Sequence, residues 1–174
     1  MTTFLKNRDM KFSFHLLLTC IALTACGESG KTTADYRIVP RPGEIAPGDG
    51  GDFELDARTR IVCTGDGDGM RANAEFLAGY VESVVGSAPE ITGPDGLCDD
   101  GRAVILRADA PGKGGEAYEI EVSENRITVS GESDAGVFYG IQTLRKAMGA
   151  AKAAKVLFPA VRIADEPYLG YRGV

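Results

Sequence analysis

The chain has 174 residues, a formal net charge of −6, one histidine and no tryptophan. So acidic and aromatic-poor a composition lacks the overall basic footprint expected of a nucleic-acid-binding or lipid-binding domain. The length and a hydrophobic fraction of 44% fit one domain with one core.

Lys6, Arg8 and Lys11 precede an apolar run, Phe12 to Leu23, broken only by Ser13, His15, Thr19 and Cys20. The run is too short to span a bilayer comfortably and small residues follow it, which is the layout of a secretory signal. Its end, Leu23-Thr24-Ala25-Cys26-Gly27, looks like a bacterial lipoprotein box. On that reading residues 1–25 are removed and the Cys26 thiol is lipidated. The product is an exported lipoprotein facing the periplasm or the cell surface, touching membrane only through that lipid. A plain secretory signal with an incidental cysteine is the alternative. His15 leaves with the signal either way, so the exported piece has no histidine for metal binding or for a Ser-His or Cys-His couple. It is also more acidic than the whole chain, because the signal carries three basic residues against Asp9.

Residues 26–35 read as a flexible tether of small polar residues. Tyr36 to Pro40 reads as a first strand, stopped by Pro40 and Pro42. Phe53 and Leu55 alternate with Glu54, and Ile61-Val62 forms another short strand; Gly48 to Asp52 and Gly65 to Gly69 are loops. Met70, Ala74, Leu77, Val81 and Val84 make one helical stripe, with Gly86 where a C-terminal cap belongs. Ala103 to Leu106 is a continuous apolar run, hence an interior strand. Tyr118, Ile120 and Val122, then Ile127 and Val129, alternate with polar residues around a turn at Ser123 to Arg126: a hairpin with one buried face. Val137, Ile141, Leu144 and Met148 form a second helical stripe, with Ser133 or Asp134 as N-cap and Gly149 as stop. Val161 and Ile163 supply a last strand. This order predicts an α+β fold over residues 36–164, a mixed, mainly antiparallel β-sheet with two amphipathic helices packed on one face.

Few residues suggest chemistry. Asp66-Gly67-Asp68-Gly69 resembles the head of a calcium loop, but Met70 and Leu77 occupy positions that need oxygen ligands. It reads as a solvated turn supplying a helix N-cap. Gly136 and Gly140 form a G-x-x-x-G on a helix that also carries Gln142, Arg145 and Lys146. Membrane pairing is thereby excluded, and close approach of the helix to the sheet is expected. Asp165-Glu166 is an adjacent acidic pair, but Pro167 forces Glu166 extended; Asp99-Asp100 reads as loop. Cys63 and Cys98 are either a disulfide pair, which export permits, or two buried thiols. No catalytic residue, metal site or cofactor can be assembled from the exported chain.

Read in order, YRIVPRPGE (Tyr36 to Glu44), Phe53 to Ile61, Met70 to Val85 and Ala117 to Met148 resemble the non-catalytic N-terminal domain of the family 20 glycoside hydrolases, the β-N-acetylhexosaminidases. Gly136, Tyr139, Gly140, Gln142, Thr143 and Leu144 carry most of that weight. Phe53 to Ile61 matches the family's second hairpin, and Pro159 to Gly173 its linker into a catalytic (β/α)8 barrel. The resemblance implies that residues 165–174 are the linker and first residues of that barrel. It places Asp165-Glu166 in the interdomain turn. It implies a parent enzyme that removes terminal N-acetylglucosamine or N-acetylgalactosamine from glycans with retention. There a Glu serves as acid and base, and the sugar's acetamide, steered by an Asp, is the nucleophile, a departure from the usual two-carboxylate scheme. Arg172 matches the family arginine that holds hydroxyls of the terminal sugar. Alone, the piece would be inactive, since a barrel ending at its first strand cannot close.

Two alternatives stay open at this stage. A similar small domain precedes family 84 O-GlcNAc hydrolases, where D-x-P … R-G also occurs. The chain could instead be a stand-alone surface lipoprotein binding a glycan or partner, with Tyr36, Tyr118 and Tyr168 as its candidate aromatics.

Overall fold

The computed structural model describes residues 30–97, 101–109 and 115–166. Ten strands and two helices follow in the order β1 (Lys31–Thr33), β2 (Glu44–Pro47), β3 (Phe53–Leu55), β4 (Arg60–Cys63), α1 (Asp68–Val85), β5 (Glu90–Thr92), β6 (Ala103–Arg107), β7 (Tyr118–Ser123), β8 (Arg126–Gly131), α2 (Asp134–Met148), β9 (Lys155–Phe158) and β10 (Val161–Asp165). No helix among the described residues is long and apolar enough to cross a membrane.

Seven strands form one sheet in the order β2-β10-β7-β8-β6-β4-β5. Its β2, β10, β7 and β8 are antiparallel neighbours, while β8, β6, β4 and β5 run parallel. The change follows from the connections: β7 and β8 are joined by a tight turn, whereas α1 carries the chain from β4 to parallel β5. The fold is α+β with mixed sheets and both helices on one side. β6 lies inside the sheet, as its unbroken apolar run requires.

The helical stripes meet the sheet. Met70, Ala74, Leu77, Val81 and Val84 of α1 are buried, as are Val137, Ile141, Leu144 and Met148 of α2. They join Ile61, Val104, Leu106, Ile120, Val122, Ile127, Val129 and Ile163 in one core. Gly86 closes α1 in the left-handed conformation at φ 84°, where a side chain would be strained. Ser133 caps α2, its hydroxyl accepting from the Ala135 and Gly136 amides. α1 differs from expectation: its N-cap is Gly67, with no side-chain cap.

The two α2 glycines lie against the sheet. A Cβ on Gly136 would collide with the Ala117 carbonyl oxygen, and one on Gly140 would stand 2.5 Å from a Val129 methyl. The expected close approach is therefore present.

Sequence reading missed a second sheet, β1-β9-β3. β9 runs parallel to β1 and antiparallel to β3, with Phe53 opposite Phe158. Three expectations change with it. The stretch 26–35 is not tether throughout, because Lys31–Thr33 pairs with β9. Phe53–Leu55 and Arg60–Cys63 do not form a hairpin but belong to different sheets, joined through a turn in which Thr59 Oγ1 accepts from the Asp56 amide. Tyr36 to Pro40 is no strand. Prolines at 40 and 42 cannot donate to a ladder, and this segment is held by other bonds. The Tyr36 hydroxyl donates to the Pro159 carbonyl at 2.8 Å, the Asp35 amide to Ala147, and Lys146 Nζ to the Val39 carbonyl.

Candidate functional site

Two surfaces are candidate links to a neighbouring domain: the end of β10, where the chain leaves the sheet, and the outer side of the helix layer.

At the first, Asp165 is the last registered residue of β10, opposite Tyr118. Its carboxylate accepts from the Gly43 amide at 3.0 Å and from the Tyr118 hydroxyl at 3.5 Å. Tyr118 Oη also bonds Thr143 Oγ1 of α2 at 2.6 Å. One carboxylate thus ties the exit strand to the proline-rich loop and, through Tyr118, to α2. Burial, reinforced by the Asp165 charge, pushes the Tyr118 hydroxyl up to about 12, so it stays a proton donor at neutral pH. Asp165 is a structural anchor here, and the exposed Glu166 follows directly. The acidic pair is not a catalytic couple within this domain.

On the second surface, Phe76 of α1 packs against Phe138 of α2 with ring centroids 5.5 Å apart, and Phe138 against Tyr139 at 6.0 Å. Phe76 is 41% and Tyr139 37% exposed. The cause is local: with Gly136 and Gly140 turned to the sheet, residues 138 and 139 point away from it. Phe76 lies off the buried stripe of α1, and an aromatic in that position was the readable signal of this patch. Sequence analysis passed over it.

The remaining predicted residues divide cleanly. Tyr36 and Tyr118, candidates for a sugar platform, have their hydroxyls bonded inside the domain, and Tyr118 is buried. Burial also raises the Tyr36 hydroxyl well above its ordinary value. Cys63 is buried and unbonded on the helix side of β4, and that burial raises its thiol pKa. Cys26, Cys98, Asp99, Asp100, Tyr168 and Arg172 lie outside the described residues. No group of His, Cys, Asp and Glu able to hold a metal occurs among the described residues. A cleft of about 650 Å³ beside the proline-rich loop is lined by Asp35, Tyr36, Arg37, Ile38, Arg41 and Ile45. Its Arg37 is already committed to Asp35, Nη2 to Oδ2 at 2.7 Å, so the cleft offers no convergent catalytic pair.

Comparison with known proteins decides the family. Residues 35–166 match the model of glycosyl hydrolase family 20, domain 2. The chain belongs to glycosyl hydrolase family 20. That membership also separates it from the family 84 alternative. It is 29% identical over 140 residues to a β-N-acetylhexosaminidase of Cellulomonas fimi, covering 80% of this chain and 28% of the relative. A β-hexosaminidase of Porphyromonas gingivalis is 28% identical over 187 residues, covering 94% of this chain and 22% of that protein. The chain thus spans roughly a quarter of these relatives. Among solved structures, the family 20 β-N-acetylhexosaminidase of Streptomyces coelicolor superposes with a TM-score of 0.66 at 23% identity, over 79% of this chain and 28% of that one. A family 20 β-N-acetylglucosaminidase superposes with a TM-score of 0.56 at 33% identity, over 78% of this chain and 23% of that one.

Proposed function

We propose that this chain is the accessory N-terminal domain of an exported, lipid-anchored β-N-acetylhexosaminidase, and that its helix face and exit strand hold the catalytic domain. The family match and the names of the relatives support the activity: removal of terminal N-acetylhexosamine by substrate-assisted, retaining hydrolysis. In the longer enzyme Arg172, six residues past Glu166, would bind hydroxyls of the terminal sugar. The anchor would be Cys26, supported by the sequence at residues 23–27.

The carrying observation is the patch of Phe76, Phe138 and Tyr139 on the outer side of the helix layer, while Asp165 ties the exit strand to α2 through Tyr118. Contiguous exposed aromatics mark a surface meant for contact. The relatives are about four times longer than the matched segment, which supplies the occupant. A glycan platform fits less well, because Phe76 and Phe138 are tilted by 57° rather than coplanar.

Two results test this reading. The 174-residue chain should not hydrolyse a chromogenic N-acetylglucosaminide, and measurable turnover would overturn the accessory role. In the longer enzyme, Phe76→Arg with Tyr139→Arg should split a single calorimetric transition into two and speed thermal inactivation. The same pair in the isolated chain should leave one cooperative transition, lowered by about 1–3 kcal/mol for the two ring contacts with Phe138. An unaltered single transition would remove the helix face as the docking surface.

A further inference from the structure

The outer face of the small sheet breaks the charge pattern of the molecule. Glu54 on β3 accepts from Lys155 Nζ at 2.8 Å and from Arg102 Nη1 at 2.9 Å, and pairs with Lys31 Nζ at 3.7 Å. Those cations hold its carboxyl down at about 2. Arg102 also lies 3.8 Å from Asp56, which pairs with Arg58 at 3.2 Å. Four cations therefore surround two anions, an excess of positive charge on an acidic chain. Exposed Lys152 adds to it from the loop before β9, where the Ala154 amide donates to the Gly30 carbonyl. Leu157, alternating with buried Val156 and Phe158, sits half-exposed in the middle. The far surface of the large sheet is instead balanced, with Glu44, Glu90, Glu119 and Glu121 beside Arg60, Arg107, Arg126 and Arg162.

We propose that this basic face seats the domain on anionic phospholipid headgroups beside the anchor, a step that rests on Cys26 as the anchored residue. The placement of β1 carries it. Only Gly27 to Gly30 separate Cys26 from Lys31, and Lys31 stands in register with Lys155. Five residue steps reach at most about 17 Å when extended. Basic residues near an anionic membrane surface add an electrostatic contribution to whatever a lipid anchor supplies. The attraction acts within a Debye length of about 10 Å at 0.1 M salt, comparable to the roughly 12 Å root-mean-square span of a flexible five-step tether. The charge-balanced far surface offers no competing basic face and points away from the bilayer.

The test separates the anchor from the face. A chain beginning at residue 26 with Cys26→Ser keeps the whole core, which starts at Ala34. It should float with vesicles of equimolar phosphatidylglycerol and phosphatidylethanolamine at low salt, release at high salt, and ignore phosphatidylcholine vesicles. Lys31→Glu with Lys152→Glu leaves Lys155 and Arg102 on Glu54, and should weaken binding at least about tenfold with the melting temperature unchanged. If that pair melts early, Lys152→Glu alone, at an exposed position, carries the comparison. Absent binding, equal binding to phosphatidylcholine, or binding undiminished by the reversals would overturn the proposal. With the signal segment present, Cys26→Ser should move the protein out of membranes washed at high salt, where the face no longer holds it. Retention there would overturn the anchor while leaving the vesicle result to judge the face.

Discussion

Gly136→Ala is expected to lower the melting temperature by about 6 to 10 °C, although alanine is the better helix former. The propensity gain is about 1 kcal/mol. Against it stands a Cβ driven into the Ala117 carbonyl oxygen, with the Gly131 Cα also close. Both are backbone atoms and neither can rotate aside. Overpacking typically costs about 1–3 kcal/mol, and occasionally more, and an immovable neighbour places this site at the upper end. A net loss near 2 kcal/mol corresponds to the stated shift for a domain of this size. Gly140→Ala should lose about half as much, because its nearest neighbour is a Val129 methyl, which can shift. Gly79 on α1 is the control, having open space where its Cβ would go. There the propensity term stands alone, and Gly79→Ala should gain up to about 1 kcal/mol. Urea titrations with unchanged m-values would confirm that folded-state packing is responsible. A Gly136→Ala variant as stable as the parent would remove the account of how α2 meets the sheet.

The same pair of glycines shows what the sequence made legible. Periods of 3.6 and 2 are strong wherever an element has one buried face, so both helices, the β7–β8 hairpin and β10 could be read directly. β6 is buried on both faces and showed itself as an unbroken run. Elements with little pattern were lost. β2 ends in Pro47, β5 is three residues between Pro89 and Gly93, and β9 is four residues following an alanine-lysine stretch. Conversely, Tyr36 to Pro40 has strand composition, yet its amide partners and the Tyr36 hydroxyl are used elsewhere. Three-residue pairings of distant segments leave almost no local trace, since their energy lies in contacts rather than propensity. The candidate site was legible in half. Tyr139 belongs to the motif that carries the family resemblance, and Phe138 lies inside it, but a motif does not say which side chains face outward. Net charge misled in a similar way, because a whole-chain balance of −6 conceals a local excess of cations around Glu54.

Phe158→Ala is expected to be the most damaging single truncation, and it tests the element that sequence reading missed. Phe53 and Phe158 face each other across β3 and β9, and neither has any exposed surface. Both belong to the core formed by the large sheet and the helices. Removing a buried phenylalanine ring costs about 3–5 kcal/mol in lost transfer energy and residual cavity, which should lower the melting temperature by at least about 10 °C. Were the small sheet only a flap laid over a finished core, the ring would be replaced by water and the loss would stay below about 1 kcal/mol. Leu157→Ala, one residue earlier on the outward side of the same strand, provides a smaller reference loss, because its side chain is smaller and only partly buried. Hydrogen exchange adds a local readout. Among the described residues β9 is the one strand that pairs with β1, so Phe158→Ala should release the β1 amides before those of β7 and β8. If β1 stays protected while global stability falls, β9 does not transmit packing to the N-terminal strand.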